Sequence, residues 1–159
     1  MSVRVAESAG FCFGVSRAVE LVEQAAKGGK TVVTLGPIIH NHHVVDKFRA
    51  LGVEVIDTPE QASPGQTVII RSHGVSRAVY EELQRRGVEI IDATCPFVKR
   101  IHGIVSRAEE EGQLPVIIGT PTHPEVEGIA GWCRDCRVFE TMGGGDGGVS
   151  IDGKEFDSS

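Results

Sequence analysis

With 159 residues, of which 40% are apolar and 24% charged, the chain has the size and composition of one ordinary globular domain or two small lobes. Its net charge of −6 gives no electrostatic reason to expect nucleic acid or an anionic membrane as a partner. No apolar run approaches the roughly 20 residues of a membrane helix, which argues against a membrane-embedded protein.

Residues 3–6 read as a short strand with no signal-peptide hydrophobic region, so the four cysteines are expected in a reducing cytoplasm. There, thiols serve more often as ligands or catalysts than as disulfides. The strand runs into Gly10-Phe11-Cys12-Phe13-Gly14, a cysteine framed by two phenylalanines and two glycines. An amphipathic helix over 15–26 follows, with Val15, Ala18, Val19, Val22 and Ala26 on one face. Ser16 is placed to cap it, and a helix N-terminus favours a thiolate at Cys12.

Residues 31–35 form a buried strand that ends in a loop carrying His40. A helix over 44–51, closed by Gly52, leads to a strand over 53–56 and a loop over 59–65 with one helical turn. The strand 67–70 ends in Arg71-Ser72-His73-Gly74, and a helix over 76–86 is closed by Gly87. The strand 88–91 runs into Cys95, after which Pro96 takes the first position of a long helix over 96–111. A strand over 116–118, a loop containing His123, a short helix over 125–130 and a last strand over 137–139 complete the pattern.

Alternating strands and helices predict a largely parallel, three-layer α/β architecture. We divide it into a first α/β lobe over 1–95, an incomplete second lobe over 96–141, and a glycine-rich tail over 142–159 without regular structure. Gly14-Val15-Ser16-Arg17-Ala18-Val19 recurs letter for letter as residues 74–79, and residues 52–57 return nearly unchanged as 87–92. This is a repeated strand–loop–helix unit with cysteine in one loop and histidine in the other.

Cys12, His40, His73, Cys95, His123 and Glu125 all fall just after the carboxyl end of a strand. In open parallel sheets that edge is where ligands bind, and helix N-termini facing it favour anions. Taken singly, each residue has an ordinary reading: a small buried thiol, a surface imidazole, a first-turn carboxylate. Their coincidence on one edge is what points to a site. His42 and His43 flank a helix start, and His102 in mid-helix reads as a core or surface residue; none is assigned a role. Cys133 and Cys136 have the spacing of half a zinc or redox site but lack two further ligands, and are read as incidental thiols.

The stretches Gly10–Val15, His40-Asn41, Arg71–Gly74, Ala93-Thr94-Cys95-Pro96 and His123-Pro124-Glu125-Val126 with Gly128 resemble one family. It is that of the 4-hydroxy-3-methylbut-2-enyl diphosphate reductases, LytB-type iron–sulfur enzymes of the non-mevalonate isoprenoid pathway. The motifs lie in order from about residue 3 to 139. The resemblance implies that Cys12 and Cys95 are two of three thiolates holding a [4Fe–4S] cluster, with one iron left open as a Lewis acid. It implies that His40, His73 and His123 bind the substrate diphosphate and that Glu125 is the proton donor. It further implies ferredoxin or flavodoxin as electron donor.

The family's fold has three similar lobes, the third supplying the third cysteine, and this chain matches the first and part of the second. The absent lobe suggests exposed apolar surface and a homodimer. Two other readings stand beside the reductase: a non-catalytic diphosphate-binding fragment without a stable cluster, and a zinc or thiol-redox protein built on Cys133 and Cys136.

Overall fold

The computed structural model describes residues 2–7, 9–145, 148–151 and 154–156. Three helices pack on a four-stranded, wholly parallel sheet. The helices are α1 (Phe13–Ala26), α2 (His42–Ala50) and α3 (Arg77–Arg85); the strands are β1 (Val32–Leu35), β2 (Glu54–Ile56), β3 (Thr67–Ile70) and β4 (Glu89–Asp92). A single 3₁₀ turn, Pro59–Gln61, lies between β2 and β3. The strand order is β2-β1-β3-β4, with Leu35 opposite Ile70 and Ile70 opposite Asp92.

Side chains alternate across a strand, so each central strand feeds two cores. Val32 and Ile69 join Ala18 and Val22 of α1 and Phe48 of α2 on one face. Val33, Leu35, Val68 and Ile70 meet Leu83 of α3 on the other. The result is the three-layer α/β arrangement expected from the sequence. Burying each such side chain contributes about 1.5–3 kcal/mol, so the two central strands anchor the lobe.

The long helix α4 (Pro96–Glu110) carries the chain to a smaller parallel pair, β5 (Val116–Ile118) and β6 (Arg137–Phe139), with α5 (Pro124–Ala130) between them. β3, β5 and β6 fall on the residues predicted for them.

Three expectations are corrected. Residues 3–6 form no strand: Val3 and Val5 are 89% and 79% exposed, and an apolar alternation becomes a strand only where a neighbouring edge completes its ladder. Ser16 does not cap α1, because Phe13 and Gly14 are already helical and Cys12 is the N-cap; the Ser16 hydroxyl instead donates to Phe11 O at 3.4 Å. The glycine-rich stretch does pair. β7 (Met142–Gly145), β8 (Gly148–Ile151) and β9 (Lys154–Phe156) form an antiparallel meander with Met142 opposite Ile151. Local antiparallel pairing satisfies backbone groups without any apolar pattern to announce it.

Candidate functional site

The two motif cysteines sit in matching positions, as N-caps of α1 and α4, and neither sulfur is used as a cap acceptor. Both are free thiols, Cys12 exposed and Cys95 half-buried. Helices of 14 and 15 residues begin at them. Gly14 makes their neighbourhood possible: a Cβ there would lie 2.6 Å from Cys95 Sγ, so the first turn of α1 and the Cys95 sulfur fit only without one.

Arg17 then ties α1 to the Cys95 loop, donating to Asp92 O at 3.2 Å and Thr94 O at 3.3 Å. Cys95 N donates to Ser72 O at 2.9 Å, which fixes the same loop to the segment bearing His73. Phe11, Phe13 and Phe97, the sequence neighbours of the two cysteines, are 47%, 65% and 71% exposed and form no closed apolar cover over them.

The histidines follow from strand order. β1 connects outward through α2 to β2, whereas β3 connects the other way through α3 to β4, so the chain diverges between β1 and β3. The loops after those two strands open a crevice at that switch point. They carry His40 and His73, whose rings are 5.1 Å apart, and His123 meets His73 edge-on at 5.9 Å. Ser72 Oγ donates to Ile38 O at 3.1 Å and holds the two loops together. The rings of His42 and His43 lie 3.9 Å apart, tilted by 42°, and are exposed in the first turn of α2.

Burial, then the charges of His40, Arg71 and His123, hold His73 below the ordinary histidine pKa, and its buried Nδ1 has no partner among the described residues. Burial likewise pushes the Arg71 guanidinium down from its usual value, with Glu127 opposing. Arg71 Nη1 lies where a Cβ on Gly36 would be, 2.5 Å from that position, in a turn with φ of 71° that glycine alone adopts readily. Arg71 was not singled out from the sequence, although its place at the end of β3 was a usable signal.

An anion entering this crevice would favour the protonated imidazole. Free His73 is neutral near pH 7, so binding takes up a proton while the pH lies above its depressed pKa. Pyrophosphate affinity is therefore expected to fall several-fold from pH 6 to pH 8, and calorimetry in two buffers of different ionisation enthalpy should record proton uptake.

α5 brings the last two residues. His123 is its N-cap, and its Nδ1 accepts from Glu125 N at 3.2 Å, so the neutral ring carries its proton on Nε2. Glu125, half-buried, lines with His123 an apolar cavity of about 470 Å³ that includes Ile101, Ile104, Val116 and Ile118. A cavity of about 750 Å³ between α3 and α4, over Tyr80 and Trp132, takes in none of the predicted site residues.

The far end of α5 is fastened to the first sheet's helices. Trp132 Nε1 donates to Val75 O at 2.8 Å, and Arg77 N donates to Gly131 O at 3.2 Å. Arg77 Nη2 and Ser106 Oγ both donate to Trp132 O, at 3.2 and 3.0 Å. His102 is core: 5% exposed, it stacks on Trp132 at 5.2 Å. Arg17 and Arg77 thus perform corresponding tasks, each locking its helix to a later loop, and the exact repeat of residues 14–19 at 74–79 was the signal for them.

The residues fit part of an iron–sulfur ligand set. Two uncapped thiols at helix N-termini, with a glycine cradle beside one, suit thiolate ligation. Among the described residues no three Cys, His, Asp or Glu side chains converge as a complete metal site.

Fold and site together define a doubly wound α/β protein with imidazoles gathered at its switch-point crevice and the Cys95 loop tied beside them. The family model described as LytB protein matches residues 3–146, and the chain belongs to that family. A curated relative from Thermoanaerobacter sp. (strain X514), a 4-hydroxy-3-methylbut-2-enyl diphosphate reductase, is 48% identical over 139 residues, covering 85% of this chain and 48% of the relative. The reductase of the same name from Clostridioides difficile (strain 630) is 37% identical over 161 residues, covering all of this chain and 56% of the relative.

Two solved structures are also similar. One, of (E)-4-hydroxy-3-methyl-but-2-enyl diphosphate reductase, the terminal enzyme of the non-mevalonate pathway, superposes with a TM-score of 0.77 at 45% identity, over 87% of this chain and 51% of that one. The other, the E-1-hydroxy-2-methyl-but-2-enyl-4-diphosphate reductase from Plasmodium falciparum, gives 0.81 at 31% identity, over 84% of this chain and 43% of that one. The chain thus spans about half the length of the relatives it matches. Among the described residues no helix is long and apolar enough to cross a membrane.

Proposed function

We propose that the chain carries the diphosphate-binding crevice and two cluster thiolates of a 4-hydroxy-3-methylbut-2-enyl diphosphate reductase. The observation that carries this reading is the row of His40, His73 and His123 joined through Ser72 to the Cys95 loop. Three imidazoles beside a half-buried guanidinium recognise a diphosphate by charge and hydrogen bonding. In this reading His123 donates from Nε2 and His73 gains its proton on binding. Glu125 gives a proton to the departing hydroxyl, which leaves as water. The apolar wall of Ile101 and Ile104 suits the hydrocarbon part of the substrate.

Cys12 and Cys95 would hold the cluster, which when bound supplies electrons one at a time and a Lewis-acidic iron. Two electrons, from ferredoxin or flavodoxin, and two protons balance the conversion to isopentenyl or dimethylallyl diphosphate and water.

The test is pyrophosphate calorimetry on the chain as isolated and after anaerobic reconstitution with iron and sulfide. His73→Ala is expected to weaken binding at least tenfold. A wild-type chain that binds no diphosphate in either form overturns the reading. The lack of a complete three-ligand set among the described residues favours a second reading, a diphosphate-binding fragment without a stable cluster. Full diphosphate affinity with no retained iron selects it.

A further inference from the structure

The loop Cys133-Arg134-Asp135-Cys136 joins α5 to β6, at the end of α5 opposite His123. Seven helical residues span about 10 Å, so this pair stands a helix length from His123. We propose that Cys133 and Cys136 form a reversible intramolecular disulfide, a two-electron thiol site distinct from Cys12 and Cys95.

Four observations support it. Both thiols are free and half-buried, within reach of solution oxidants. Cys136 follows three residues later in the same turn, close enough to act on the Cys133 thiol. Cys133 is fixed on the last turn of α5, its N and its Sγ each 3.4 Å from Ala130 O. The rest of the loop is pinned as well, Arg134 N donating to Glu109 Oε1 at 2.8 Å and Arg137 N to Pro115 O at 2.9 Å. The turn that carries both sulfurs is therefore fixed before any bond forms, which favours ring closure over two separate adducts.

The chemistry assigns an order. Burial first, then Cys136, Glu109 and Asp135, push the Cys133 thiol up to about 11, so Cys133 is protonated at neutral pH. Cys136 is then the attacking sulfur. Its thiolate attacks a low-molecular-weight disulfide of the glutathione class, forming a mixed disulfide and releasing one thiol. Cys133 loses its proton to solvent and attacks Cys136 Sγ, releasing the second thiol. In sum, two cysteine thiols are oxidised by two electrons and one disulfide is reduced to two thiols. A Cys133 thiolate is a poor leaving group, so the closed ring resists weak reductants and yields to a strong dithiol.

The full chain is treated with oxidised glutathione, alkylated and mapped by mass spectrometry. Cys133 and Cys136 are expected to lose their alkylation sites together, with a mass loss of two hydrogens, and to regain both after dithiothreitol. Cys133→Ser should instead accumulate a single glutathione adduct on Cys136. The same experiment on the Cys12→Ser/Cys95→Ser double variant, which retains only this pair, should give the same ring. Continued alkylation of both residues, or two separate glutathione adducts, overturns the proposal.

Discussion

Cys12→Ser and Cys95→Ser are each expected to reduce retained iron and acid-labile sulfide to background after anaerobic reconstitution, with loss of the visible absorption band. Serine keeps the shape of the side chain but replaces a soft, readily ionised sulfur with a hard hydroxyl that does not deprotonate near neutrality. The effect should be all-or-none, because each cysteine stands at the start of its own helix and supplies a thiolate that serine cannot replace. Cys133→Ser and Cys136→Ser, changed at the far end of α5, should retain iron at the wild-type level. Retention of a full iron complement by either crevice variant would remove that cysteine from the ligand set.

Gly131→Ala is expected to destabilise the fold by about 1–3 kcal/mol, a fall in melting temperature of roughly 3–10 °C for a chain of this size. A Cβ on Gly131 would land on Ser76 Cβ and lie 2.9 Å from Ser76 Cα, so the obstruction is backbone and near-backbone rather than a mobile side-chain tip. Ser76 is fixed in turn, since its hydroxyl caps α3 by accepting from Val79 N at 3.4 Å. The added methyl must therefore lever α5 away from α3 and stretch the Arg77–Gly131 hydrogen bond. Ser76→Gly in the same chain removes the first of the two clashes and should restore part of the loss, at the cost of the cap. Differential scanning fluorimetry of the single and double variants checks both statements; a Gly131→Ala chain as stable as wild type would show that α5 and α3 are not held at this distance.

Most of the parallel architecture was legible because its determinants are local. The strand at 67–70 is a run of β-branched residues between loop residues, and the long helix begins at Pro96 as a proline in first position predicts. The gathering of His40, His73 and Cys95 was legible for the same reason: once strands alternate with helices, the residues after each strand must share an edge.

What escaped depended on partners distant in sequence. The repeat of residues 14–19 at 74–79 marks Arg17, but it does not say that the guanidinium reaches the carbonyls of Asp92 and Thr94, 75 and 77 residues away. Val3 and Val5 carry a strand's alternation, yet no local signal says whether an edge lies beside them. At Cys12 the difficulty was the reverse: Phe13 and Gly14 resemble loop residues, but Gly14 is helical so that Cys95 can pack against it.

The fastening of α5 at Trp132 has a mechanical consequence. The helix is anchored at one end by Val75, Arg77 and Ser106, while the imidazole and carboxylate it presents are at the other. Over a lever about 10 Å long, a tilt of ~5° at the pivot displaces His123 by ~0.9 Å. Misplacement on that scale is enough to lower a reaction rate on the order of a hundredfold. The angular tolerance of the crevice is thus set by an indole and a guanidinium a full helix length away from it.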